Sequence, residues 1–210
     1  MAGISLRLYS DAITAGAETI FSAGPNRILY VVEGSAIVSA GSVANLAADS
    51  AWHGRGGLSV RGGEKGARLL RFELGGDGSG RALLEKSITL DDTPKLMRCD
   101  RVAFPPGGVA YTHTHQGPGI RCVVEGRIRI EAEGASHEYG PGEPWFESGP
   151  DPVFAAGSET VSTAFIRVMV LPRDYLGRSS IRYMKPEDQD KPKRQSYRIY
   201  IDQPIEIAGN

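Results

Sequence analysis

The stretch YTHTHQGPGIRCVVEG, Tyr111–Gly126, places two histidines one residue apart in front of an apolar run. Its second half, rich in isoleucine and valine and closed by glycine, is typical of a strand that ends in a tight turn. An earlier segment matches it without a gap, since ILYVVEGSAIV from Ile28 aligns with IRCVVEGRIRI from Ile120. The Val-Val-Glu-Gly motifs begin at Val31 and Val123, an offset of 123 − 31 = 92 residues. A period this long predicts a duplicated domain, because solenoid repeats are shorter.

Short apolar or alternating runs of strand length recur along the whole chain, separated by turn residues that include many of the 27 glycines and 13 prolines. This pattern predicts an all-β protein. The glycine-rich GGDGSG stretch at 75–80 is typical of a linker. We therefore predict one domain at 1–76 and a second at 81–180, followed at 181–210 by a polar crossing segment and a terminal strand.

Charge and hydropathy restrict the partners of the chain. With 24 basic and 25 acidic side chains, the sequence carries no excess charge that would attract nucleic acid or an anionic membrane. No apolar run reaches the length of about 18 residues that spans a bilayer. Cys99 and Cys122 lack the spacing of a zinc or redox motif and read as small core residues. We expect a cytoplasmic protein.

The second half resembles the cupin superfamily, whose first motif runs glycine, five residues, His-x-His, three or four residues, glutamate, six residues, glycine. Gly107, His113, His115 and Gly126 fit this frame, and Gly119 stands in the place of the glutamate. The second cupin motif begins with a glycine and ends in a histidine. On GEPWFESGPDPVFAAG it starts at Gly142 and ends at Val153.

The first half matches the family in its strand pattern and its Val-Val-Glu-Gly turn. Phe21 and Ala23 stand where the histidine pair would be, and Arg27 stands at the position of the glutamate. The resemblance therefore implies two tandem cupin jelly-roll β-barrels in one chain, a bicupin. A metal motif, partly degenerate, remains in the second barrel alone. The first barrel would be structural or would form a binding pocket.

Side chains alternate along a strand, so Tyr111, His113 and His115 are expected on one face, the barrel interior. Two imidazoles there suit a divalent transition metal (Fe, Mn, Ni or Zn), and a third ligand would be a carboxylate. Glu147, which shares parity with Trp145 in the run PWFE, is the candidate. The alternative is a pair of hydrogen-bonded pocket histidines with no metal.

Four residues are candidates for contact with a substrate: Tyr111, Gln116, Arg121 and Trp145. Arg121 shares parity with Gly119 and is expected to face the cavity, where a buried guanidinium needs a partner. It could bind a substrate carboxylate or pair with Glu147, and the pair would leave that carboxylate less available to a metal. Trp145 is either a pocket wall or a core aromatic.

Three function classes remain open. The first is a metal-dependent cupin enzyme, a dioxygenase or an isomerase or lyase, acting on a small acidic or aromatic metabolite. The second is a non-catalytic bicupin that binds a small molecule without metal. The third is a structural role. The family resemblance and the exposed terminal strand predict a homodimer, and fold analogy alone does not decide whether the protein is an enzyme.

Overall fold

The computed structural model describes residues 3–78 and 80–207 of the chain. Residues 1–2 of the predicted first domain, residue 79 of the predicted linker and residues 208–210 of the terminal segment lie outside this range. The described residues are nearly all β, which confirms the predicted fold class. None of the helices among them is long and apolar enough to cross a membrane.

The chain divides into two compact units, and the second spans Thr93–Pro204. Among the described residues, the first unit comprises those up to Asp92 together with residues 205–207. The crossing segment and most of the terminal strand, which we predicted as a separate element, thus lie within the second unit. The domain limits 76 and 81 stay predictions.

The first unit is built on one twisted sheet. Its strands are β1 (Ile4–Ile13), β2 (Glu18–Phe21), β3 (Asn26–Ser39), β4 (Val43–Ala47), β5 (Ser50–Arg55), β6 (Leu58–Leu74) and β7 (Leu84–Ile88). The order is β4-β3-β6-β1-β7, with β2 paired to β6 and β5 paired to β3. These strands pair in antiparallel orientation.

The second unit consists of two five-stranded sheets. The first sheet comprises β8 (Lys95–Phe104), β10 (Gly119–Glu125), β13 (Pro144–Glu147), β15 (Thr163–Pro172) and β17 (Ser196–Ile205). The second comprises β9 (Val109–His115), β11 (Ile128–Ala132), β12 (Ala135–Tyr139), β14 (Val153–Gly157) and β16 (Ile181–Tyr183). The strand order is β13-β10-β15-β8-β17 in the first sheet and β12-β11-β14-β9-β16 in the second. A 3-10 turn, Arg173–Tyr175, and a one-turn helix α1, Pro186–Gln189, complete it.

An apolar core lies between the two sheets of the second unit. Phe104, Trp145 and Phe165 from the first sheet pack with Ile128 and Val153 from the second. Phe104 and Phe165 face each other at 6.2 Å between ring centroids, and Trp145 meets the edge of Phe165 at 5.0 Å. The cysteines are buried thiols in this unit, as expected.

The repeated Val-Val-Glu-Gly motif folds the same way in both units. The ladder register shifts between Val31 and Glu33 in β3 and between Val123 and Glu125 in β10, so each copy holds a bulge at its second valine. The glycine that follows is left-handed in both copies, with φ of 76° at Gly34 and 68° at Gly126. The sequence repeat therefore corresponds to a repeated backbone conformation.

Buried ion pairs occupy one end of the interior of the first unit. The Glu73 carboxylate is 2.7 Å from Nε of Arg27 and 2.8 Å from Nη1 of Arg71. Arg71 also pairs with Asp11 at 2.7 Å, and its guanidinium lies 4.7 Å from the ring centroid of Phe21. Phe21 and Arg27, which stand at positions of cupin metal ligands in this half, are therefore part of a packed network of aromatic and charged side chains.

Candidate functional site

The two histidines on β9 face the interior of the second unit. His113 and His115 are both buried, and their rings meet edge to face at 4.9 Å between centroids. Val153, which stands at the end of the second cupin motif, pairs directly with His113 across the sheet. The backbone N–H of His115 donates to the carbonyl of Gly149 at 2.7 Å, which fixes the end of the strand.

Tyr111 does not share this face, contrary to the expectation from strict alternation. His113 pairs with Val153 and Ala110 pairs with Ala155, so two residues of β9 stand opposite Phe154 alone. This bulge reverses the parity of the strand, and Ala110 is buried while Tyr111 is only half-buried. The Tyr111 ring lies instead under the Lys191 ammonium, at 4.5 Å.

Hydrogen bonds define the tautomers of both imidazoles. Nδ1 of His113 lies 2.7 Å from the carbonyl oxygen of Tyr111, an acceptor only, so Nδ1 carries the proton. Nδ1 of His115 lies 3.3 Å from Oγ of Ser180, and its Nε2 lies 3.4 Å from Nη1 of Arg167. Because a guanidinium can only donate, Nε2 of His115 is the acceptor.

Glu147 reaches the site from β13, directly opposite Gly119 on β10. Its Oε1 accepts a hydrogen bond from Nε1 of Trp145 at 2.8 Å, which agrees with the shared parity predicted for these two residues. Its Oε2 lies 2.7 Å from Nη2 of Arg121 and 3.7 Å from Nε2 of His115. The carboxylate thus approaches the imidazole pair while it is paired with a guanidinium.

Arg121 is buried and has two protein partners. Besides its contact with Glu147, its Nη1 donates to the carbonyl oxygen of Gly119 at 2.6 Å. Of the two roles considered for Arg121, the structure contains the internal ion pair. Burial lowers the pKa of Arg121 to about 10, an effect that the Glu147 carboxylate opposes. The guanidinium is therefore still charged at neutral pH.

Arg167 and Asp100 continue the row of charged side chains that Glu147 and Arg121 begin across the sheet, and neither was predicted from the sequence. Arg121 stands opposite Arg167 on β15, which in turn stands opposite Asp100 on β8. Nε and Nη2 of Arg167 donate to the two oxygens of Asp100 at 2.9 and 2.7 Å, a bidentate pair in the interior. The sequence does mark Arg167 as unusual, because it is a charged residue inside the apolar run TAFIRVMVLP.

These side chains surround a small cavity. Its wall includes His113, His115, Arg121, Glu147 and Arg167, closed on the apolar side by Trp145, Phe165 and Ile130. The cavity leaves about 20 Å³ for molecules the size of water, room for one or two of them. Trp145 thus belongs to both the wall and the core, whereas Gln116 lies past the end of β9 and is not part of the wall.

Both imidazoles are held neutral. Burial lowers the pKa of His113, with the Glu147 carboxylate opposing this. Burial lowers the pKa of His115 well below its ordinary value, and the charges of Arg167 and Arg121 lower it further. Protonation of either ring would place another cation beside the two guanidinium groups.

We predict that this burial makes the second unit less stable in mild acid. The unfolded chain takes up protons at His113 and His115 below about pH 6.5, whereas in the folded chain the lowered pKa values of these two groups oppose protonation, so the free energy of unfolding falls as the pH drops below that value. Each histidine contributes a slope of up to about 1.4 kcal/mol per pH unit. Urea unfolding at several values between pH 7.5 and 5 measures how the free energy of unfolding depends on pH.

Two variants locate the origin of this slope. His115→Gln removes a group that must stay neutral, so its stability should depend less steeply on pH than that of the wild type. Val153→Ala shortens an uncharged side chain in the same core, and its slope should match the wild type. Equal slopes for wild type and His115→Gln would contradict the prediction.

The residues present do not fit a divalent cation. Its ligands would be Nε2 of His113, Nε2 of His115 and Glu147, but Glu147 is paired with Arg121 and Nε2 of His115 accepts from Arg167. Among residues 3–78 and 80–207, no three histidine, cysteine, aspartate or glutamate side chains converge as a metal site. The two guanidinium groups would also repel the ion.

Comparisons with known proteins support the fold. No protein-family model matches the chain, and no curated protein is significantly similar to it in sequence. Among solved structures, AerE from Microcystis aeruginosa superimposes with a TM-score of 0.65 at 11% identity, over 79% of this chain and 88% of its own. A cupin 2 conserved barrel domain protein from Leptotrichia buccalis gives 0.52 at 14% identity, over 81% and 85%.

A two-residue deletion mutant of Bacillus subtilis oxalate decarboxylase OxdC superimposes with a TM-score of 0.69 at 11% identity, over 90% of this chain and 73% of its own. Another structure of that enzyme concerns its Mn(II) centres. Identities this low carry the fold and not the chemistry. The predicted cupin jelly-roll fold is confirmed, and the chain's structural neighbours are cupin-fold proteins.

Proposed function

We propose that this protein is a cupin-fold binding protein for a small metabolite and that it uses no divalent metal in its second barrel. The observation that carries the proposal is the pairing of Arg121 with Glu147 at 2.7 Å inside that barrel. This pair takes up the carboxylate that approaches the imidazoles. The ion pair therefore favours the hypothesis that the His-x-His motif binds no metal.

Energetics support the same reading. A cation between the histidines and Glu147 would have to displace Arg121 from its carboxylate and Arg167 from His115. Both guanidinium groups would then remain in the interior with fewer partners, and a buried charge without a partner costs several kcal/mol. The ion would also lie within a few ångströms of two positive charges.

A metal-dependent enzyme, a dioxygenase or an isomerase or lyase, is the second candidate. The tautomers favour it, because both histidines use Nδ1 for a hydrogen bond and carry a lone pair on Nε2, although Arg167 donates to Nε2 of His115. Metal-ligating histidines are commonly oriented in this way. The two candidates differ in whether the purified protein contains metal that depends on His113.

The first test is metal analysis of protein produced with Fe, Mn, Ni and Zn supplied. We expect far less than one equivalent per chain in the wild type and the same content in His113→Ala. A stoichiometric transition metal that disappears in His113→Ala would overturn the proposal in favour of the enzyme.

A substitution should also create the site that the wild type lacks. In Arg121→Met, Glu147 is released and one repelling charge is gone, so we expect Zn(II) to bind at least about tenfold more tightly than in the wild type. The estimate is conservative, because two unit charges about 4 Å apart in a partly buried site interact by about 4 kcal/mol. Calorimetric titration with Zn(II) measures the gain.

The matched control is Arg121→Met/His113→Ala, which keeps the released carboxylate but lacks one imidazole. The gain in Zn(II) affinity should disappear in this double variant. Equal Zn(II) affinity in Arg121→Met and the wild type would show that the guanidinium does not exclude the ion.

A further inference from the structure

A second, larger recess opens beside the cavity within the same unit. It offers about 230 Å³ to small molecules, against about 20 Å³ in the cavity. Arg167, Ile181 and Tyr197 line both spaces, so the recess begins where the cavity ends. We call it the β16–β17 cleft, because Ile181 lies on β16 and Tyr197 and Ile199 lie on β17. A metabolite that is too large for the cavity has room in this cleft.

Most of the charge in the cleft is already paired. Nε and Nη2 of Arg98 contact the two oxygens of Asp202 at 3.0 and 2.9 Å, and Arg167 is bidentate on Asp100. Arg178 differs, since its side chain is exposed and has no ion-pair partner among the residues that the structure describes. The cleft therefore carries one uncompensated positive charge, which favours an anion.

The backbone that carries Arg178 is held in place from the protein side. Nη1 of Arg98 donates to the carbonyl oxygen of Arg178 at 2.7 Å, and the N–H of Arg178 donates to the carbonyl of Tyr175 at 2.9 Å. The Asp202 carboxylate that pairs with Arg98 also accepts from the N–H of Gly177 at 2.8 Å. The turn that carries Arg178 is thus fixed from the protein side, so little backbone entropy is lost when Arg178 binds a ligand.

The remaining wall of the cleft is largely apolar. Ile199 and Tyr197 on β17 are 50% and 45% exposed. Ile181 on β16 lines the same cleft. Apolar surface around one free guanidinium suits a molecule with an apolar body and one acidic end.

We propose that the β16–β17 cleft binds a small monocarboxylate with an aromatic or aliphatic body. The carboxylate pairs with Arg178, and the body packs against Ile181, Tyr197 and Ile199. This inference rests on the proposed function, since it names the ligand class of the metal-free binding protein. It places the ligand outside the His113–His115 cavity.

Benzoate is the probe, followed by saturation-transfer NMR on the full-length protein. We expect benzoate to bind to the wild type and to bind about tenfold more weakly to Arg178→Gln, the loss typical of a charge-assisted hydrogen bond near solvent. Arg182→Gln changes an exposed arginine on β16 outside the cleft and should bind benzoate like the wild type. Ile199→Trp fills the cleft and should abolish binding, with its fold checked by circular dichroism.

Two further probes define the chemistry. Benzyl alcohol has the same ring without the charge and should bind clearly more weakly than benzoate. Inorganic phosphate should not displace benzoate, because it cannot use the apolar wall. Equal binding of benzyl alcohol, displacement by phosphate, or unchanged benzoate affinity in Arg178→Gln would each overturn the inference.

A chelator distinguishes a failure of this inference from a failure of the proposed function. Benzoate binding should be the same before and after dialysis against EDTA. If dialysis abolishes binding, the carboxylate sits on a metal and both proposals are wrong. If the protein contains a His113-dependent metal but benzoate binding is unaffected by its removal, only the proposed function is wrong.

Discussion

Replacement of Arg121 by methionine is expected to lower the free energy of unfolding of the second unit by about 3–5 kcal/mol in metal-free buffer, the cost of breaking a buried ion pair. Methionine fills much of the volume of the arginine side chain, so the loss of stability comes from the Glu147 charge that remains unpaired. Glu147 would stay in the barrel beside Trp145, with its guanidinium partner gone. Urea unfolding in a Trp52→Phe background, followed by Trp145 fluorescence, reports on this unit alone.

The double variant Arg121→Met/Glu147→Gln is the control for this result. The glutamine oxygen can still accept the hydrogen bond of Trp145, and no uncompensated charge is left in the interior. Most of the lost stability should therefore return, with a large coupling energy in the double-mutant cycle. Losses that simply add would show that Arg121 acts through its packing and not through its charge.

Glu73→Gln is expected to have an effect of similar size in the first unit, about 3–5 kcal/mol. One carboxylate there neutralises two buried guanidinium groups, those of Arg27 and Arg71. Its removal leaves Arg27 with backbone acceptors and Arg71 with Asp11 as the remaining carboxylate partner. Urea unfolding in a Trp145→Phe background, followed by Trp52 fluorescence, measures the loss.

The matched control is Glu33→Gln, which breaks the exposed pair of Glu33 with Arg68 in the same unit. Exposed ion pairs contribute little to stability, so this variant should unfold almost like the wild type. Equal unfolding midpoints for Glu73→Gln and Glu33→Gln would contradict a structural role for the buried network.

The repeat and the strand pattern were enough to predict the class of fold. Val31 and Val123 mark the same bulge in two units, and the glycine three residues later is required by its left-handed backbone. Such features are local, since residues close in sequence determine them. This is why the Val-Val-Glu-Gly motif is recognisable as a repeated element from the amino-acid sequence alone.

The interior of the site could be predicted only in part. Trp145, Glu147 and Arg121 line the cavity, as their parity on short regular strands indicates, whereas Tyr111 does not; their roles stay predictions. A bulge reverses parity, and nothing in the sequence YTHTH marks its position. Arg167 lies on a distant strand, and only the tertiary pairing of β10 with β15 brings it beside Arg121.

Gly119 limits how this chain could change in evolution. An added Cβ there would lie 2.5 Å from the carbonyl oxygen of Val168 and 3.0 Å from Nη1 of Arg121. A glutamate at this position, the residue usual in the cupin motif, would therefore require Arg121 to move and the backbone of β15 to shift. Because the strand and Arg121 must both move before a side chain fits at position 119, a substitution there alone would strain the sheet, whereas a substitution that first shortens Arg121 would remove one of the two obstacles.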